Sequence, residues 1–259
     1  MKGPLLALCA VLIAAGLATA PAPRAQAAGP QLCAFPSPPR VLVQQGASHP
    51  AGPRLVQVWD APNADVYGSQ AEPAAPAWAD FKAGVARRVS VTDPVELLRA
   101  SPAWNNPRLK RNNALLAERH AEWIRPAGCL EKLLQSFQHA RVDTFQRPTE
   151  FAALVLRSPD GARLRIYYLT IDQDGIGRVS PITEPAAADV RQGWRLAIAL
   201  HNHNFHPGQP SLDGVLAPSE ADAELAANLA AELGLEAAWI TNGLHTSRIP
   251  AAAFGLFVP

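Results

Sequence analysis

The sequence predicts an α/β (α+β) fold, a mixed β-sheet flanked by helices and preceded by a less regular N-terminal region. Three observations carry this. Apolar runs of strand length stand at residues 150–156 and 196–200, with turn residues around them. Apolar residues recur at helical spacing in 130–137 and 219–233. An Asn242-Gly243 pair lies between two strand-like segments, the pattern of a tight hairpin.

The elements follow in order. Lys2, the apolar run 5–17 and the small-x-small site Ala25-Gln26-Ala27 predict a signal peptide over residues 1–27. The run is too short to span a bilayer, and no later stretch predicts a membrane span, so the protein is expected to be secreted or periplasmic. Residues 28–126 are rich in Pro, Ala and Gly, with one clear strand at 54–59, and form an N-terminal region without a legible function. A boundary is placed after Arg125-Pro126, and residues 127–259 form the regular domain. Leu130, Leu133, Leu134 and Phe137 predict a helix, and 150–156 a strand apolar on both faces. Ser158-Pro159-Asp160-Gly161 is a turn, 163–171 an alternating strand and 172–177 a loop. Residues 194–203 form a buried strand, 219–233 a helix ended by Gly234, and the hairpin closes the chain.

Composition excludes some partners. The chain holds 23 Lys and Arg against 22 Asp and Glu, with no basic run, so neither nucleic acid nor an anionic membrane is expected as a partner. Two cysteines, Cys33 and Cys129, lie beyond the signal segment; in an oxidising compartment such a pair is expected to form a disulfide. The calcium-like run Asp172-Gln173-Asp174-Gly175-Ile176-Gly177 has Ile176 and Thr183 where oxygen ligands would be required, so a turn accounts for it.

The chemistry concentrates at His201-Asn202-His203, which ends the run Leu196-Ala197-Ile198-Ala199-Leu200. Alternate side chains of a strand share a face, so both imidazoles point the same way and can serve one metal ion. Pro218-Ser219-Glu220-Ala221-Asp222 then opens a helix. Asp222 is three residues before Leu225 and seven before Leu229, which places it on the apolar stripe formed with Leu233, against a polar face of Glu220, Glu224, Asn228 and Glu232. A carboxylate aimed at a core needs a partner. Ser219 and Asp222 also form a capping box, which by itself needs no metal.

With these residues in view, the chain resembles the JAB/MPN (JAMM) zinc metallopeptidases, above all their prokaryotic members. The family motif is a strand Glu, His-x-His-Pro at a later strand end, and Ser-x-x-Asp opening a helix; Glu150, His201, His203, Ser219 and Asp222 match it. The resemblance spans about 130 residues, from the helix at Leu130 onward. It implies a JAMM-like sheet and Zn2+ held by His201, His203 and Asp222. It implies Glu150 as general base, Ser219 as oxyanion donor, and a protein or peptide substrate cut at a peptide or isopeptide bond. Here fifteen residues, Asn204 to Pro218, separate His203 from Ser219, more than the family has, and Asn204 replaces its proline. The family's interval ends instead at Ser211, but Gly214 then stands at the Asp position and no apolar helix follows. Glu184, beside Pro185 in an expected loop, is the alternative base. The competing readings are a non-catalytic JAMM-like binding or scaffold protein, and a zinc amidohydrolase acting on a non-protein substrate.

Overall fold

The computed structural model describes residues 32–46, 54–101, 106–118, 123–147, 149–174, 179–205 and 214–258. The expected signal peptide, His206 and Ser211 lie outside the described residues. In chain order the elements are β1 (Arg40–Gln45), β2 (Arg54–Pro62), α1 (Pro76–Arg88), α2 (Pro94–Ala100), α3 (Pro107–Ala117), β3 (Trp123–Pro126) and α4 (Cys129–Arg141). Then follow β4 (Thr149–Arg157), β5 (Arg163–Asp174), α5 (Ser180–Arg191), β6 (Arg195–Asn202), α6 (Glu220–Leu233), β7 (Ala237–Thr241), β8 (His245–Pro250) and α7 (Phe254–Phe257).

The eight strands form one mixed sheet in the order β1-β2-β5-β4-β6-β7-β8-β3. All neighbours are antiparallel except β6 and β7, which α6 joins by a crossover. β4 is central and buried on both faces: Ala152, Leu154 and Leu156 enter one core cluster, and Phe151, Ala153 and Val155 the other. Elements α5, α6 and α7 pack on the first face, and α4 on the second.

The expected boundary at 126 does not mark a break. Residues 31–259 form one compact unit, β2 pairs along β5, and β3 pairs with β8 as the far edge strand. Cys33 and Cys129 are joined by a disulfide with Cα atoms 5.5 Å apart, as expected from their number. The less regular reading of 28–126 missed α1, α2 and α3. Each begins with a proline at its first helical position, where the missing N–H costs nothing. Asp93 and Asn106 cap α2 and α3 through their side-chain oxygens. Proline there starts a helix, whereas composition alone reads it as a breaker.

Two further expectations are corrected. Glu184 and Pro185 lie in α5, not in a loop, and Glu184 is exposed. The expected loop at 172–177 begins later, because β5 runs to Asp174; residues 175–178 lie outside the described residues.

Candidate metal centre

β6 carries His201 to its end, and α6 starts opposite it. Ser219 is the N-cap of α6, and the capping box is complete: the Ser219 Oγ accepts from the Asp222 N–H at 3.2 Å, and the Asp222 Oδ2 accepts from the Ser219 N–H at 2.8 Å. Gly234 ends the helix with φ at 68°. The buried stripe of α6 is Ala223, Ala226 and Leu229, while Leu225, expected on it, is 36% exposed. Asp222 remains on the sheet-facing side, one turn before Ala226.

The three expected ligands converge. His201 Nε2 and His203 Nε2 are 3.1 Å apart, and Asp222 Oδ2 is 3.5 Å from each. Four ligands at zinc-like bond lengths on a tetrahedron stand about 3.3 Å from one another. Three sides of that figure are thus present, and the group could hold a metal ion. Among the described residues no other group of His, Cys, Asp and Glu side chains does so.

The orientation of His203 is set from behind. Its Nδ1 lies 2.6 Å from the carbonyl of Val215, so Nδ1–H donates there and Nε2 faces the centre. The two Nε2 atoms face each other across the centre. Burial alone would lower the His203 pKa. The hydrogen bond and charge of Asp222, the charge of Glu150 and the Val215 carbonyl outweigh it and raise the value to about 9. Asp222 is buried too, which pushes its pKa up, but the two imidazoles hold it well below the usual carboxylate range.

Glu150 stands beside this group. Its charge acts on His203, and it lies on β4 two residues before Ala152, which pairs with His201. Glu150 is half-buried and falls at the irregularity where β4 shifts register against β5. Such bulges re-aim side chains next to sites. Ser219 Oγ gives its one proton to Asp222 Oδ2 at 2.7 Å. Neither Glu150 nor Glu184 is among the three converging ligand groups.

A supporting network escaped the sequence reading. Asn202 Oδ1 accepts from the Phe151 N–H at 2.7 Å, Asn202 Nδ2 donates to Asn204 Oδ1 at 2.9 Å, and Asn204 Nδ2 donates to the Thr149 carbonyl. The two asparagines alternate with the two histidines and tie the end of β6 to the strand segment that carries Glu150. Residues 214–218, which lead into α6, are pinned one carbonyl at a time. Asn242 Nδ2 donates to Gly214, His203 to Val215, Ser247 Oγ to Leu216 and Asn112 Nδ2 to Pro218. The only sequence signal was the His-Asn-His-Asn alternation; the other donors come from distant elements.

No family model, curated protein or solved structure matches the chain.

Proposed function

We propose that the protein is an exported zinc-dependent peptidase or isopeptidase of JAMM type. The observation that carries this is the spacing of the His201, His203 and Asp222 donor atoms, with Glu150 near enough for its charge to act on His203. His201, His203 and Asp222 would hold the ion. Zinc, when bound, would supply a Lewis acid and make a water ionisable near neutral pH. Glu150 would accept the proton released as a water oxygen bonds to the scissile carbonyl carbon, and would return it to the departing amine as the C–N bond breaks. Ser219 turns its hydroxyl from Asp222 towards the oxyanion that forms on the substrate. Protein and peptide amides are the substrate class this chemistry serves.

A second reading, a metal-binding protein without turnover, is favoured by Ser219, whose single proton is committed to Asp222 here. A chelator-controlled peptide-library screen on the full chain separates the two. The first reading expects about one zinc per chain and cleavage that stops on chelation. It expects Glu150→Gln to keep the zinc and lose turnover by roughly a hundredfold or more. Zinc binding with no cleavage supports the second reading. Purified protein without stoichiometric metal overturns both.

A further inference from the structure

On the sheet face that carries His201, the core contains a cavity of about 50 Å³. Its floor is one row of the sheet, where β4 Leu154, β6 Ala199 and β7 Ala238 stand side by side. Ala226 of α6 lies over it, and Ile182 of α5 closes one side. His201 and Asp222 belong to the same wall. Leu225, at 36% exposure, carries the wall to the surface.

Protein interiors rarely leave voids larger than a water molecule. This one persists because alanine occupies three positions, Ala199, Ala226 and Ala238, where a longer aliphatic side chain would fill it. Its lining offers almost no polar partner, so water gains little there. Its volume is several times the roughly 10–15 Å³ that one water needs and about a third of the roughly 150 Å³ of an apolar cavity that takes up benzene, which leaves room for a few methyl groups.

We propose that this cavity is a specificity pocket, which takes a small branched apolar side chain, of valine size, next to the scissile bond. The proposal rests on the metallopeptidase reading, because His201 and Asp222 join the pocket to the ion. Because His201 and Asp222 line the cavity together with the alanines, the side chain of a substrate bound at these residues would lie beside the row of alanines. A phenyl ring is too large.

The test uses the full chain loaded with zinc, with metal content measured for every variant. Acetohydroxamate, isobutyrohydroxamate and benzohydroxamate are titrated calorimetrically as metal-directed probes. Burial of two further methyl groups should make isobutyrohydroxamate bind on the order of tenfold more tightly than acetohydroxamate. Benzohydroxamate should bind more weakly than isobutyrohydroxamate. Ala199→Val fills the cavity and should bring the isobutyro-to-aceto ratio near one. Leu225→Ala, at a partly exposed position, reads the pocket in the opposite direction and should improve benzohydroxamate. A chain that holds no zinc overturns the metallopeptidase reading and the pocket with it. Zinc-loaded protein that binds none of the probes, shows no preference among them, or keeps its preference in Ala199→Val and Leu225→Ala overturns the pocket alone.

Discussion

His203 is engaged at both ring nitrogens. The Val215 carbonyl accepts a hydrogen bond from Nδ1–H, and His201 and Asp222 face Nε2. Asp222, Glu150 and the Val215 carbonyl raise the His203 pKa to about 9, so a metal bound through its Nε2 must displace a proton near neutral pH. Binding therefore releases that proton, and zinc affinity should rise as the pH is raised from about 7 towards 9, by about tenfold per unit. Competition titrations with a calibrated chelator, corrected for its own protonation, measure this; a flat profile would mean that the proton is elsewhere. Asn204 supplies a second test at this scale. It is 4% exposed, and its side chain serves both Asn202 and the Thr149 carbonyl. Asn204→Ala leaves buried polar groups unpaired and should cost about 1–3 kcal/mol in urea unfolding. It should also weaken zinc retention, because the end of β6 is released from β4.

The segment before α6 shows how an element is aimed. Gly214 has φ at 71°, and the Phe205 ring occupies the space a Cβ would need. Both facts exclude other residues there. Gly214→Ala should lower stability by about 1–3 kcal/mol and move Asp222 relative to the histidines, read as a loss of zinc at unchanged helix content by circular dichroism. The capping box and the metal ligand were alternatives for Asp222 in the sequence. In the structure they coexist, because the same Oδ2 that caps the helix is 3.5 Å from both imidazoles. The proline-led helices illustrate the opposite limit. Pro76, Pro94 and Pro107 each sit at a first helical position, and a proline-rich composition concealed three helices.

At the scale of the molecule, the disulfide between Cys33 and Cys129 closes a loop with a sequence separation of 96 and ties the chain ahead of β1 to the start of α4. Cys33→Ser should lower the unfolding free energy by about 2–5 kcal/mol, measured by urea denaturation. An unchanged midpoint would show that the sheet holds this end unaided. The strand and helix around the site were legible in the sequence, because local periodicity, an N-cap and a glycine stop depend on neighbours along the chain. The pairing of His201 with His203 was legible for the same reason: alternation in a strand sets a shared face. Other features were decided only by tertiary structure. The continuity of the sheet through β2 and β3 joins residues far apart in sequence, so no local pattern announces it. The approach of Asp222 to the histidines depends on carbonyls of residues 214–218 held by Asn112, Asn242 and Ser247, which belong to other elements. The alanine-lined cavity exists only because Ala199, Ala226 and Ala238 meet in space. Periodicity marks each of them as apolar, and packing alone decides that together they leave a space.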